Sequence, residues 1–173
     1  SAVGGYAGYK IGLSKDKTEL EDLFEGEKKL AKDFKKAVKE KKNRDRITGH
    51  LNNTKTVVHQ MVRLRDEGKP CISCGTPYMK SFQAGHCYSA NNYRSIKFDF
   101  FNINGQCQKC NLLEGGNESE YLLRLPTRIG KDNFFDLQNR ALNDKKFNKH
   151  WTDEELKEIR VKAKQIIKQL KTQ

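Results

Sequence analysis

Apolar residues recur every three to four positions near the start of the chain, the spacing that places them on one face of a helix. Lysines from Lys28 to Lys42 cover the other faces, so the pattern predicts a helix over residues 16–42. The polar run from Asn43 to Thr48 predicts a break, and a second helix is expected from about Ile47 to Glu67. Gly68 and Pro70 then supply a stop signal. The apolar positions of the first helix are Leu20, Phe24, Leu30, Phe34 and Val38.

The same helical period returns after residue 117. We expect a short helix from Glu118 to Leu125 that ends at Pro126, and another from Asp132 to Leu142. The final helix has the clearest start, because Thr152 followed by Glu155 forms a capping box. Its apolar seam is Leu156, Ile159, Ala163, Ile166 and Leu170.

Between these helical regions the period changes to that of strands. Residues Met79–His86 and Ile96–Ile103 are predicted as two strands, and Cys107–Leu113 as a short helix. The chain is therefore expected to be α+β and mostly helical, with a small core flanked by N- and C-terminal helices. The predicted regions are a flexible arm over 1–15, a basic helical region over 16–69, the core over 70–117 and a C-terminal helical region over 118–173.

Four of the five cysteines form two CxxC pairs in this core, Cys71 with Cys74 and Cys107 with Cys110. Two such pairs supply the four thiolates of a closed tetrahedral zinc site. We therefore predict a structural zinc ion. With no apparent secretory signal, zinc in a reducing cytoplasm is favoured over disulfides. The fifth cysteine, Cys87, is interpreted as a small packing residue.

Charge points to a polyanionic partner. The net charge is +12, the pI is about 9.5 and the mean hydropathy is −0.88. No run approaches the apolar length of a membrane span, and nucleic acid is favoured over an anionic membrane as the partner.

The lysines of the first helix are either a solvated face or a phosphate-contacting surface. The apolar stripe of this helix could alternatively pair with a second copy of the chain. The candidates for DNA contact there are Lys28, Lys29, Lys32, Lys35, Lys36 and Lys39.

The chemistry of the core depends on His86, Asn102 and Asn111. A histidine at a strand end suits a general base, because its pKa lies near working pH. Asn111 directly follows the last cysteine and offers an oxygen ligand to a divalent cation. Asn102 is expected to orient the histidine or to pin the connecting loop. His50 and His59 are interpreted as helix-surface residues, and His150 as part of the entry to the final helix.

This segment resembles the HNH nucleases, and more closely the bacteriophage NinG/Rap recombination endonuclease family. The similar text is PCISCG, then QAGH, then KFDFFNINGQCQKCN followed by GGN. The resemblance implies a zinc-stabilised ββα-metal core and a structure-selective endonuclease for branched DNA such as Holliday junctions. It implies a magnesium or manganese ion at the catalytic site, and a homodimer like the similar endonuclease VII group. The host cytoplasm is the expected location if the gene is a phage gene.

One feature departs from the usual HNH pattern. Many such enzymes carry an aspartate ligand directly before the catalytic histidine, where this chain has Gly85. Asp99 and Glu114 are the candidates for the missing metal ligand. Arg94, before the second predicted strand, and Lys97, within it, are added as candidates for DNA contact.

Two other functions stay open from the sequence. One is an HNH nicking or defence endonuclease that acts on ordinary duplex DNA. The other is a non-catalytic zinc-stabilised DNA-binding module. The joint presence of His86, Asn102 and Asn111 argues against the second, because zinc binding alone does not require them.

Overall fold

A computed structural model describes residues 17–144 and 149–172. The predicted arm over 1–15 lies outside the described residues. The elements are, in order, helix α1 (Lys17–Arg65), strands β1 (Gln83–His86) and β2 (Ile103–Gln106), a π-helical turn (Lys109–Leu113), and helices α2 (Glu118–Ile129), α3 (Lys131–Asp144) and α4 (Asp153–Lys171). The chain is thus mostly helical with a two-stranded sheet, as expected. Among the described residues, no helix combines the length and apolarity needed to cross a bilayer.

The first helix is continuous through residues 43–48, so the predicted break is wrong. This stretch lacks an apolar stripe, but it also lacks proline, and a polar helix needs no core contact to keep its backbone hydrogen bonds. The chain divides into two compact units, residues 1–44 and 45–173, and α1 contributes to both. In the first unit, every side chain from residue 21 onward is exposed.

Both strands are shorter than predicted. The segment 96–102 forms successive turns, in which the Asp99 N–H donates to the Ile96 carbonyl and the Asn102 N–H donates to the Asp99 carbonyl. The Asp99 carboxylate accepts the Phe101 N–H at 2.8 Å, an Asx turn that competes with strand pairing. Only residues 103–106 therefore pair with β1, antiparallel, with His86 opposite Ile103.

The core of the second unit has two main parts. One joins α1 to α4 and the strands, through buried Val58, Met61, Val62, Ala84, Phe98, Ile103, Leu156 and Ala163. The other joins α2 and α3 to the loop after β1, through Ile72, Cys87, Tyr88, Ile96, Tyr121, Leu125, Leu137 and Ala141. Cys87 is thus a packing residue of this second cluster, as expected.

Polar contacts fix β2 to the end of α1. Arg65 donates to the carbonyl oxygens of Phe100 and Ile103 at 2.7 and 2.8 Å. Asp66 is buried beside it and accepts the Gly105 N–H at 2.8 Å. Since these bonds satisfy both a buried charge and strand backbone groups, the C-terminal part of α1 and the sheet are held in one register.

The C-terminal helices begin close to their predicted positions. Thr152 and Glu155 form the predicted capping box at the start of α4. Helix α2 continues past Pro126, which the sequence placed at its end. Proline removes one N–H, and the Gly130 N–H closes the last turn on the Pro126 carbonyl.

Candidate active site

The four paired cysteines lie together beside the sheet. Their sulfur atoms are all within 4.8 Å of one another. Cys71 and Cys74 sit on a turn that Gly75 closes with a φ of 73°, and Cys110 lies in the π-helical turn. Among the described residues, which include all five cysteines, each thiol is free of a disulfide. This cluster can hold a metal ion such as zinc.

The thiols of this cluster differ in their pKa values. At the exposed Cys74 thiol, hydrogen bonds with Thr76 outweigh desolvation and lower the pKa to about 6. Burial raises the pKa of the Cys107 and Cys110 thiols above the ordinary value. Binding a cation therefore requires the release of thiol protons, and in return the cation compensates the thiolate charge. Four sulfur atoms at this spacing are therefore better suited to bind a metal ion than to remain as free thiols.

A cavity of about 320 Å³ lies on the sheet beside the end of β1. It collects side chains from α1, β1, the loop after β1 and the π-helical turn. Its lining residues are Lys55, His59, Ala84, His86, Ser89, Ala90, Asn91, Lys97, Phe98 and Asn111.

His86 is held in one orientation at this cavity. Its Nε2 atom lies 2.9 Å from the Lys97 carbonyl oxygen, to which only an N–H can donate. In the neutral imidazole, Nδ1 is then the nitrogen that can accept a proton. Burial lowers the pKa of His86, and the charges of Lys97 and Lys55 lower it further, against the opposing effect of the Lys97 carbonyl. The ring is therefore neutral at lower pH than a free histidine.

Asn111 presents its oxygen near the same strand. Its Nδ2 donates to Gln83 Oε1 at 2.6 Å, which leaves Oδ1 as a free acceptor. A Cβ atom built on Gly85 would lie 3.0 Å from this oxygen and 2.0 Å from Gln106 Oε1. Gln106 thus fills the space in which a side chain at position 85 would stand.

Gln106 was not singled out in the sequence. It is fully buried, and its amide nitrogen donates to Ser73 Oγ at 2.7 Å and to the Gly116 carbonyl. Its Oε1 atom is buried without a hydrogen-bond partner. Only the fold shows why residue 85 is a glycine, because the colliding group comes from the neighbouring strand.

Asn102 is fully buried and pins the loop after β1. Its Oδ1 accepts the Tyr88 N–H at 2.8 Å, and its Nδ2 donates to the carbonyls of Tyr88 and Ile96 at 3.0 and 3.2 Å. It is not among the residues that line the cavity. This geometry corresponds to the loop-pinning alternative rather than to contact with the histidine.

The two carboxylates considered as metal ligands lie outside the cavity lining. Asp99 pairs with Arg140 and holds the Asx turn. Glu114 lies 3.3 Å from Lys109 and accepts from Asn117 at 2.9 Å, beside the cysteine cluster. The structure therefore does not bring either carboxylate to His86 and Asn111.

Two residues of α1, Lys55 and His59, line the cavity although the sequence pattern placed neither there. The His59 ring centroid is 5.8 Å from that of His86. Burial, followed by the effects of His86 and Lys55, lowers the pKa of His59 to about 4. His59 is half-buried and lines the cavity, a position that its interpretation as a helix-surface residue did not predict. The sequence feature that could have indicated its place in the cavity is that His59 directly follows Val58, a residue of the buried helix face.

Fold and site together define a mostly helical protein with a four-cysteine cluster that can hold a metal ion, beside a small sheet and a histidine-lined cavity. The profile of the family described as Bacteriophage Lambda NinG protein matches residues 10–173, and the chain belongs to this family. Proteins named ninG from Escherichia phage 933W and Salmonella phage P22 are each 33% identical to it over 70% of the chain. The ninG protein of Escherichia phage lambda is 32% identical over 70%.

The chain spans between half and two thirds of the length of these curated relatives, 58% for the phage 933W protein and 57% for the lambda protein. No solved structure gives a significant match.

Proposed function

We propose that the protein is a structure-selective endonuclease that cleaves branched DNA such as Holliday junctions during phage recombination. The observation that carries the proposal is the cavity shared by His86, Asn111, Lys55 and Lys97. It combines a neutral imidazole, an amide oxygen and two cationic side chains, which are the groups that phosphodiester hydrolysis uses.

In the proposed reaction, His86 Nδ1 takes a proton from water as the water oxygen attacks the phosphorus. The bond from phosphorus to the leaving 3′ oxygen breaks. The hydrogen bond from Nε2 to the Lys97 carbonyl holds the ring and stabilises the protonated imidazolium that results. Lys55 and Lys97 attract the scissile phosphate. Asn102 keeps the loop wall of the cavity in place through its bonds to Tyr88 and Ile96.

The proposal includes two kinds of metal ion. Zinc is placed at the four cysteines as a structural ion, because their mutual spacing fits tetrahedral thiolate ligation. Magnesium or manganese is placed near Asn111, whose free Oδ1 fits an oxygen ligand. When bound, that ion polarises the phosphate and stabilises the leaving oxygen.

DNA contacts are proposed beyond the cavity. In the first unit, the exposed lysines of α1 from Lys28 to Lys39 offer phosphate contacts, and Arg94 adds to them in the second unit. A junction needs two opposed nicks, so a homodimer with one site per chain is proposed. The exposed apolar positions that suit the contact between copies are Leu23, Phe24, Leu30, Phe34 and Val38.

The test compares a synthetic four-way junction with a linear duplex of the same arm sequence, in the presence of Mg²⁺ or Mn²⁺. Paired nicks in the junction with the duplex intact would support the proposal. Equal cleavage of both substrates would instead indicate a duplex nicking enzyme. Binding without cleavage under any divalent ion would indicate a non-catalytic DNA-binding module and would overturn the proposal.

A further inference from the structure

A second opening lies between the first cysteine pair and helix α2. Its volume is about 420 Å³, and it has no lining residue in common with the histidine-lined cavity. Residues of the segment 69–75 form one wall, and residues 123–128 of α2 form the other. Three of the residues that line it are cationic, Lys69, Arg124 and Arg128, and none is an aspartate or glutamate. The lining is therefore suited to an anion.

The two arginines extend from one side of α2 toward the segment that contains the first cysteine pair. They are four residues apart, the spacing that places side chains next to each other on a helix. Arg128 Nη2 donates to the Pro70 carbonyl at 2.7 Å. The Arg124 guanidinium lies over Gly75, since a Cβ atom built there would be 3.5 Å from Arg124 Nη1. The two guanidinium groups therefore stand at opposite ends of the segment 70–75.

The positive charge around this opening exceeds the negative charge. The buried Asp66 carboxylate lies behind it and faces three cationic side chains, which one carboxylate cannot compensate. The distances to its oxygens are 2.8 Å from Arg65, 3.3 Å from Lys69 and 3.9 Å from Arg128 Nη1. Arg128 Nη1 is buried without a hydrogen-bond partner. Arg124 lies 3.6 Å from Glu120, but both side chains are about half exposed, and water screens such a pair.

We propose that this opening, the knuckle pocket, binds a phosphate of the DNA backbone other than the phosphate that is cleaved. The inference rests on the proposed function and adds a second contact to it. Lys69 and Arg124, both about half exposed, contact the phosphate, and the more buried Arg128 supplies charge behind them. Phosphate contacts fix the orientation of DNA and carry no base sequence, which suits a substrate selected by its shape.

The test measures binding of a four-way junction to the zinc-loaded full chain at several salt concentrations, without added Mg²⁺ or Mn²⁺. Lys69→Gln combined with Arg124→Gln should lower the logarithmic slope of affinity against salt by about 0.9, the value for one phosphate. Neutral methylphosphonates that replace single phosphates of the junction then locate the contact. At one position on an arm, the unsubstituted protein should lose affinity and the double variant should lose none.

Lys164→Gln combined with Lys168→Gln is the matched control, because it removes the same charge from exposed positions of α4. It should leave the slope unchanged. Arg124→Lys keeps the charge in the pocket and should keep the slope as well. Zinc content and the thermal unfolding midpoint are measured on every variant. Arg124→Gln alone, which leaves the pair of Lys69 with Asp66 in place, repeats the measurement if the double variant loses zinc.

Two results would overturn the inference: an unchanged slope in the folded variants that lack the pocket charges, or the same methylphosphonate profile for the unsubstituted protein and the double variant. The first would leave the pocket to another anion, such as an acidic protein segment. A junction-cleavage assay on the same samples separates this failure from failure of the proposed function. Cleavage with an unchanged slope removes only the knuckle pocket. Binding that depends on Lys69 and Arg124, without cleavage, keeps the pocket and removes the nuclease proposal.

Discussion

The cysteine cluster and the histidine-lined cavity lie beside the same small sheet, yet they are built in opposite ways. The cluster takes its four sulfur atoms from two short CxxC segments and is largely closed, with three of the four cysteines buried. The cavity takes its polar groups from α1, β1, the following loop and the π-helical turn, and it is open. A site built from local segments is visible in a sequence, whereas one built from distant elements becomes visible only in the fold.

Two residues, Gln106 and Asn111, connect the cysteine cluster to the cavity. Gln106 ends β2, donates to Ser73 within the first cysteine pair, and places its oxygen against Gly85 next to the cavity. Asn111 follows Cys110 directly and belongs to both the knuckle turn and the cavity. We therefore expect damage to the cluster to reach the cavity, and damage to the cavity to leave the cluster intact.

The largest effect is expected from breaking the cluster. Cys110→Ser should abolish zinc binding and unfold the core, because the binding free energy of a structural zinc is on the order of 10 kcal/mol. Zinc analysis and circular dichroism check this. Cys87→Ala, which alters a buried cysteine outside the cluster, should keep about one zinc per chain. A folded Cys110→Ser protein with full zinc content would remove the cluster from its structural role.

The converse change is His86→Ala, in the cavity. It should reduce junction cleavage by about 100-fold or more through loss of the general base, with zinc content and junction binding unchanged. Single-turnover cleavage and a gel-shift titration measure the two quantities. His150→Ala should cleave at the unsubstituted rate. Near-normal cleavage by His86→Ala would place the chemistry elsewhere.

Position 85 tests the contact between the two sites. Gly85→Asp should not create a metal ligand; it should destabilise the protein by about 1–3 kcal/mol, because its Cβ would collide with Gln106 Oε1. Urea unfolding measures the decrease in stability. Adding Gln106→Ala should recover part of it, which a double-mutant cycle detects as a coupling energy. Gly26→Asp, at a site with nothing within 4 Å, controls for replacing a glycine by aspartate.

The lysines of α1 should act on affinity alone. Replacing Lys32, Lys35, Lys36 and Lys39 by glutamine should lower the salt dependence of junction binding by about 0.9 in logarithmic slope for each DNA phosphate that a lysine no longer neutralises. Cleavage at saturating protein should not change, since these lysines are outside the cavity lining. The equal charge change in α4 is the control, at Lys157, Lys164, Lys168 and Lys171. Equal slopes for the two variants would count against a DNA-binding role for α1.

The smallest effect concerns pH. Burial lowers the pKa of His86 below its ordinary value of 6.5, so the neutral base persists at lower pH than in a free histidine. Cleavage should therefore be above half its maximum at pH 6.5 and should fall as pH drops through the folded pKa. A rate profile in buffers of constant ionic strength tests this, with zinc content followed at each pH. A half-maximum above pH 6.5 would contradict it.

The sequence alone determined the features whose causes are local. Helical period, the capping box at Thr152 and Glu155 and the two CxxC pairs each depend on residues a few positions apart, and the structure contains all of them. Strand bounds were less accurate, because the Asp99 side chain forms a turn where the apolar alternation predicted a strand.

Tertiary structure decided what stands around His86. No spacing connects it to His59 or Lys55, which reach the cavity because buried Val58, Met61 and Val62 fix the rotation of α1 against the sheet. Tertiary structure also decided that Asp99 and Glu114 lie outside the cavity lining, since Asp99 pairs with Arg140 and Glu114 with Lys109. Packing and charge pairing between distant segments set these positions, and a sequence contains such segments without showing which of them meet.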